Sequence, residues 1–286
     1  MALVNENKEF VTWREAWQAS PRQWWRIALV FIAFFVGLVA VGLPAAKIAT
    51  HWLKTAFPDA SPLFKEIIQA LLAGLSFLAG LLAFLWSKKH FHRHSPLVIA
   101  SRRSNFRKSD ALTSGILWLI LFVIGEVSTN GSGRILQRLE TYEVWQWLLL
   151  SSTMFLCIGV QATTEEIIFR GYLLPVLASR VNLLAAVAIS IFIFVVGHPG
   201  SGVWGTLAVT IFASTFTFAT LRTGTVSFGA GAHVANNFAM FLLFPKATNA
   251  QGTITDVAAL AAACVIWMVW IEHTLRRRAT QEYARF

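Results

Sequence analysis

Long stretches without a formal charge are the feature that most limits how this chain can fold. From Val181 to Leu221 there is no Asp, Glu, Lys or Arg, and eight charge-free or nearly charge-free windows occur along the chain. They are Ile27–Ala46, Ile67–Trp86, Ala111–Gly125, Trp145–Thr164, Val181–Gly197, Val203–Leu221, Thr223–Pro245 and Val257–Ile271. About 20 apolar residues suffice to cross a bilayer as a helix. The sequence therefore predicts an all-α, polytopic membrane protein, a bundle of about eight transmembrane helices.

Composition excludes the soluble and disordered classes. Hydrophobic residues make up 56% of the 286 residues and charged residues only 13%, whereas a soluble domain carries about 25% charge. The net charge of +10 does not indicate nucleic acid as a partner, because the basic residues flank the apolar windows. Cys157 and Cys264 lie inside apolar windows, so neither a disulfide framework nor a paired-cysteine metal site is predicted.

The distribution of Lys and Arg predicts the orientation. With the N-terminus inside, 18 of the 24 basic residues fall on the inner side and 6 on the outer side, which predicts that both termini are cytoplasmic. One integral membrane domain is expected, in three parts. Residues 1–144 hold three transmembrane helices and a basic cytoplasmic loop, residues 145–245 hold the polar motifs, and residues 246–286 hold the last transmembrane helix and a basic tail.

Ionisable side chains in a transmembrane segment are costly and mark functional sites. The first group follows the fourth window, where Glu165 and Glu166 precede Arg170. Glu166 and Arg170 are i,i+4 neighbours on a helix, so they can neutralise one another as a salt bridge. Glu165 points about 100° away and has no partner nearby in the sequence. A salt bridge that closes the helix therefore explains two of the three residues.

Two further polar positions lie in later windows. His198 follows Phe194 by one helical turn at the end of the fifth window, and His233 and Asn237 share one face of the seventh window. A carboxylate and an imidazole can activate a water molecule directly or through a metal. A histidine and an asparagine can donate hydrogen bonds to an oxyanion. The same residue types also build proton relays and helix–helix contacts, so a transporter or a non-enzymatic immunity protein stays an alternative.

These residues resemble the motifs of a known family. Glu165-Glu166-x-x-x-Arg170, Phe194-x-x-x-His198 and His233-x-x-x-Asn237 are similar to the three motifs of the CAAX-protease and bacteriocin-processing (CPBP) family, also called type II CAAX prenyl endopeptidases or the abortive-infection family. The resemblance covers roughly residues 145–245. It implies an intramembrane endopeptidase, a hydrolase with a catalytic core in this segment. It also implies an eight-helix bundle in a cell membrane, here the bacterial inner membrane.

The resemblance also implies roles for the residues. Glu165 and His198 would activate the attacking water, and His233 and Asn237 would stabilise the oxyanion. Glu166, Arg170 and Phe194 would support the site. The partners would be membrane lipids and a membrane-anchored or prenylated peptide or protein.

Whether a metal takes part stays open at this point. Glu165, His198 and His233 are the minimum ligand set for a catalytic Zn²⁺. An asparagine amide is a poor zinc ligand and a good hydrogen-bond donor, so Asn237 beside His233 favours a glutamate-activated water without a metal. A shared site also requires the three motifs to lie at similar depth. This is expected if the fourth helix continues to about Ser179, with a kink at Gly171 or Pro175.

Overall fold

The computed structural model describes residues 24–92, 106–198, 202–243 and 252–283. These residues form ten α-helices and one π-helical segment, and they contain no β-strand. The helices are α1 (Trp24–Thr55), α2 (Pro62–His92), α3 (Lys108–Asn130), α4 (Gly133–Leu139), α5 (Val144–Glu166), the π segment (Ile167–Leu173), α6 (Leu174–Ala178), α7 (Leu183–Val196), α8 (Gly202–Thr223), α9 (Ser227–Leu243) and α10 (Ile254–Tyr283). The first 23 residues and most of the predicted basic loop (93–105) lie outside the described residues.

Each predicted apolar window coincides with a helix, so the all-α, polytopic membrane fold is confirmed. Within the described ranges, six helical stretches are long and apolar enough to cross a membrane, and one of them runs without a break from Val144 to Ala178. The other two windows correspond to α7, with 14 residues, and α9, with 17 residues. The short helix α4 lies between windows and was not predicted.

The helix that carries Glu165 and Glu166 continues through the π segment to Ala178, as expected for motifs at a shared depth. Pro175 lacks the N–H that an α-helix would use here, and its ring crowds the preceding turn. The backbone widens before it, so that the Leu174 N–H donates to the carbonyl of Phe169 in the π register. Such single wide turns are frequent at functional sites. The irregularity covers Gly171 and ends before Pro175.

Backbones touch where α3 crosses α9. A Cβ atom built on Gly231 would lie 1.9 Å from the carbonyl oxygen of Ala111, and one on Gly115 would lie 3.0 Å from the carbonyl of Gly231. Small residues permit this close approach between membrane helices. Ser114 donates to the carbonyl of Phe228 across the same crossing, at 2.7 Å. Helix α9, which carries the third motif, is therefore held against α3 along its first turns.

Candidate active site

The centre of the site is the imidazole of His233, which lies between two carboxylates of α5. Its Nδ1 is 2.9 Å from Oε1 of Glu166, and its Nε2 is 3.6 Å from Oε2 of Glu165. His233 is 2% exposed, Glu165 5% and Glu166 0%. The sequence placed His233 on a different helix from Glu165 and Glu166, and the structure brings the three side chains together. Gln161, one turn before Glu165, donates to Oε1 of that carboxylate at 3.4 Å.

Arg170 carries the positive charge of this cluster. Its guanidinium donates to Oε1 of Glu166 at 3.0 Å, which is the i,i+4 pair that the sequence predicts. It also donates to the carbonyl of Ala213 on α8 at 3.3 Å and lies 4.3 Å above the ring of Phe194. The ion pair is completely buried. Breaking such a pair by removing one partner strongly destabilises a fold, because it leaves one buried charge uncompensated.

His198 also packs against the Phe194 ring, with the two ring centroids 4.5 Å apart. The same Phe194 ring is 6.3 Å from that of His233, so one aromatic ring lies near both imidazoles. Nδ1 of His198 is 2.8 Å from the backbone carbonyl of Phe194. Because a carbonyl can only accept, Nδ1 carries the proton and Nε2 is the basic nitrogen.

A chain of side chains orients Asn237, the last residue of the third motif. The indole N–H of Trp118 on α3 donates to Oδ1 of Asn236 at 3.3 Å. The Asn236 amide in turn donates to Oδ1 of Asn237 at 3.1 Å. The NH₂ group of Asn237 is thereby the end that remains to act as a donor in the site. Sequence reasoning missed Trp118 and Asn236, since nothing along the chain connects two positions 118 residues apart.

Apolar and small residues surround the His233–Glu166 pair. The rings of Phe212 and Phe216 lie 5.1 Å and 5.5 Å from that of His233. Gly229 faces Glu166, and a Cβ atom built there would lie 3.1 Å from its Oε2. Gly229 is thus the residue that leaves room for this carboxylate. Sequence analysis did not identify Gly229; its position four residues before His233, on the same helix face, is the signal that could have done so.

The arrangement does not fit a resident metal. In the part of the chain that the structure describes, no group of three or more His, Cys, Asp or Glu side chains is placed to hold a metal ion. Glu166 is engaged by both Arg170 and His233. The set of Glu165, His198 and His233, left open for Zn²⁺ on the sequence, is not assembled as a ligand cluster.

The segment that builds this site matches a known family. Residues 144–239 match the family described as Type II CAAX prenyl endopeptidase Rce1-like. The family resemblance is confirmed. All three motifs lie inside the matched residues, from Glu165 to Asn237. At the level of the family, the Rce1-like match supports a CAAX-type intramembrane protease, and therefore a hydrolase.

One curated relative is similar to part of the chain. It is the protein described as Uncharacterized protein YyaK of Bacillus subtilis (strain 168), 23% identical over 128 residues. The alignment covers 42% of this chain and 42% of the relative, so this chain spans less than half of the protein it is similar to. No solved structure gives a significant match.

Proposed function

We propose that this protein is an intramembrane endopeptidase that hydrolyses a peptide bond near the membrane surface, with Glu165, His198, His233 and Asn237 as its catalytic residues. The observation that carries the proposal is the buried imidazole of His233, held between the carboxylates of Glu165 and Glu166 inside the Rce1-like segment. Ionisable side chains inside a transmembrane segment cost free energy, so they are found mainly at functional sites.

Glu165 and His198 activate the water. Oε2 of Glu165 is buried and has no hydrogen-bond partner among the described residues, so it can accept a proton from a bound water. Gln161 holds the other oxygen. The hydrogen bond from His198 Nδ1 to the Phe194 carbonyl makes Nε2 the nitrogen that acts as acceptor in this proposal. General-base catalysis of this kind contributes about 10²–10⁴-fold in rate.

His233 and Asn237 stabilise the oxyanion. This role uses a proton on each ring nitrogen of His233. The Nδ1–H of His233 donates to Oε1 of Glu166, and the Nε2–H, on the side of Glu165, is the donor for the oxyanion. The Asn237 amide, oriented through Asn236, supplies the second donor. Two preorganised donors of this kind are worth several kcal/mol in the transition state, about 2.7–4 for each.

The reaction balances without a further reagent. The water oxygen bonds to the peptide carbonyl carbon while one water proton passes to Glu165, and the carbonyl oxygen becomes the oxyanion held by His233 and Asn237. When the intermediate collapses, the C–N bond breaks and Glu165 returns the proton to the leaving amine. The second proton of the water is lost from the new carboxylic acid, which leaves as a carboxylate.

The substrate we propose is a prenylated or otherwise lipid-anchored peptide that reaches the site from the bilayer, since the Rce1-like family is named for CAAX prenyl endopeptidases. The excess of Lys and Arg on the inner loops supports cytoplasmic termini in the bacterial inner membrane. Residues 145–245 would form the catalytic core, flanked by residues 1–144 and 246–286 within one membrane domain.

Proteoliposomes test the proposal. The protein is incubated with a farnesylated peptide ending in C-a-a-X, and release of the C-terminal tripeptide is followed by mass spectrometry. We expect cleavage by the wild type and none by Glu165→Gln or His198→Ala. Glu272→Gln, which alters an exposed ion pair with Arg222, is the matched control and should cleave normally. Cleavage by Glu165→Gln at the wild-type rate would overturn the assigned site, and a folded wild type that leaves the peptide intact would overturn the substrate class.

A further inference from the structure

Two buried hydroxyl groups on α8 have no hydrogen-bond partner in the part of the chain that the structure describes. The side chains of Thr217 and Thr220 are each 1% exposed, and neither Oγ1 is paired. Other hydroxyls on this helix follow the usual rule of donating to the carbonyl four residues earlier. Those that do so are Thr206, Thr210, Ser214, Thr215 and Thr223. Thr217 and Thr220 therefore differ from the other hydroxyl groups of their own helix.

Both threonines lie on the face of α8 that meets the catalytic cluster. Ala213, Thr217 and Thr220 share that face by helical spacing, and the carbonyl of Ala213 already accepts from Arg170. At 1.5 Å per residue, Thr217 and Thr220 lie about 6 and about 10 Å from Ala213 toward the end of the helix. They form a short polar line that leads from Arg170 to the turn between α8 and α9.

Two more buried polar atoms without partners lie at the Ala213 end of this line. They are Nε of Arg170 and Oε2 of Glu166. The same Glu166 oxygen and the Cβ of Phe216 on α8 would lie 3.1 and 3.6 Å from a Cβ atom built on Gly229, so the carboxylate and α8 both border the space at this glycine. Among the described residues, these four atoms make up most of the seven buried side-chain N and O atoms that lack a partner. These four atoms lie along one seam, defined here as the contact between α8 and the π segment. One explanation should therefore account for all four.

The other end of the line, at the turn between α8 and α9, is polar. The turn holds Thr223, Thr225 and Ser227, with Thr225 Oγ1 and Ser227 Oγ 2.9 Å apart and Thr223 Oγ1 donating to the carbonyl of Thr225 at 3.0 Å. Gly224 has φ +68°, a conformation that side chains disfavour, and it makes the turn tight. The predicted orientation puts this turn at the cytoplasmic face, beside Arg222.

An unpaired buried hydroxyl is costly, and native proteins satisfy such groups with internal water. We infer that water molecules occupy the seam between α8 and the π segment, from the Thr223–Ser227 turn past Thr220 and Thr217 to Arg170 and Glu166. The seam is the route by which water, the second substrate of the peptidase, reaches the site; this role rests on the proposed function, whereas hydration of the seam does not.

Silver protection tests hydration directly. Ag⁺ reaches a thiol only through water, so Thr217→Cys and Thr220→Cys in membranes should lose their free thiols on exposure to Ag⁺, as measured residue by residue by mass spectrometry. Ala219→Cys is the matched control, because it lies between them on the same helix and is 0% exposed but packs in the aromatic cluster of Trp118 and Trp267. Equal protection of all three cysteines would overturn the inference.

A second measurement tests whether the seam delivers water to the catalytic residues. The double variant Thr217→Val/Thr220→Val keeps the shape and removes the hydroxyls, and we expect kcat for the prenylated peptide to fall with KM unchanged. Thr206→Val/Thr210→Val, which removes hydroxyls that are bonded within the helix, should leave both constants unchanged. If the seam variant keeps wild-type kcat, water does not arrive by this route. If the wild type cleaves nothing, the silver result still decides whether the seam is hydrated, so the two failures are distinguishable.

Discussion

The Nδ1 atom of His233 lies 2.9 Å from Oε1 of Glu166, the same oxygen that accepts from Arg170. One carboxylate oxygen thus joins α5, the π segment and α9. From the sequence, Glu166 and Arg170 form a self-contained pair, and His233 has no charged partner. The partner of His233 lies 67 residues away, and removal of His233 would take a hydrogen-bond donor from a completely buried carboxylate.

Glu166→Gln should lower both stability and activity. The substitution leaves the buried Arg170 charge uncompensated, which costs about 3–5 kcal/mol, and it replaces the charged acceptor of His233 with a neutral amide. Thermal unfolding in detergent and peptide cleavage measure the two effects. Glu166→Gln/Arg170→Gln should recover part of the stability but none of the activity, because His233 still lacks its charged partner.

The exposed pair of Arg222 and Glu272 is the control for this comparison. Glu272→Gln should change stability by less than about 1 kcal/mol, as exposed pairs do. Equal melting temperatures for Glu166→Gln and the double variant would argue that the buried charges do not compensate one another.

Trp118→Phe should slow catalysis while the fold is kept. The ring still packs against Phe212 and Phe216, but the donor that orients Asn236, and through it Asn237, is lost. A hydrogen bond of about 0.5–1.5 kcal/mol corresponds to a decrease in kcat of up to about tenfold. Trp267→Phe removes an indole donor to Ser114 in the same aromatic cluster and should leave kcat unchanged. Equal kcat for the two variants would mean that the Trp118 hydrogen bond does not act on Asn237.

Gly229→Ala should impair activity more than stability. The new methyl group would lie 3.1 Å from Oε2 of Glu166, so the carboxylate has to shift, and a displacement of this kind costs about tenfold or more in rate. Gly159→Ala on α5 meets no atom within 4 Å and should be neutral or slightly stabilising, since alanine favours the helix. Steady-state kinetics and detergent unfolding of both variants give the comparison. Wild-type kcat in Gly229→Ala would show that the site tolerates the methyl group.

Arg138→Lys should weaken the end of the bundle that carries α4. Arg138 binds both oxygens of Glu66, at 3.1 and 2.5 Å, and its Nε donates to the carbonyl of Leu242 at the end of α9. Lysine keeps the charge but not the planar fork, so we expect a loss of about 1–2 kcal/mol with little change in kcat. Arg134→Lys, an exposed neighbour on the same helix, is the matched control. Equal melting temperatures for the two variants would contradict this role.

The helices were predictable because lipid imposes a simple rule. Every backbone group must be paired inside its own segment, so a charge-free window becomes a helix wherever it occurs, and α1, α3 and α8 lie on their windows. Helix α4 was not predictable in this way, because seven residues at an aqueous boundary, with Arg134 and Arg138 among them, leave no apolar window. Its position depends on Glu66 and Leu242, which are distant in the sequence.

The site was predictable as a set of residues, but its connections were not. Spacing identified Glu165, Glu166 and His233 because charge inside an apolar helix is rare, and it identified the Arg170 pair because i,i+4 contacts are local. The contact between His233 and Glu166 spans 67 residues. It depends on how α5 and α9 pack, which periodicity does not encode. The same holds for Trp118 and Asn236.

The contact between Gly231 and the Ala111 carbonyl also bears on how the protein is made. Helix α9 is short and carries His233, Asn236 and Asn237, so it inserts poorly into lipid alone. Helix α3 is synthesised earlier, and it offers Gly115 for close backbone contact and Ser114 and Trp118 as hydrogen-bond donors. We expect α9 to enter the membrane against α3 already in place, so that the site is assembled only after most of the chain has been synthesised.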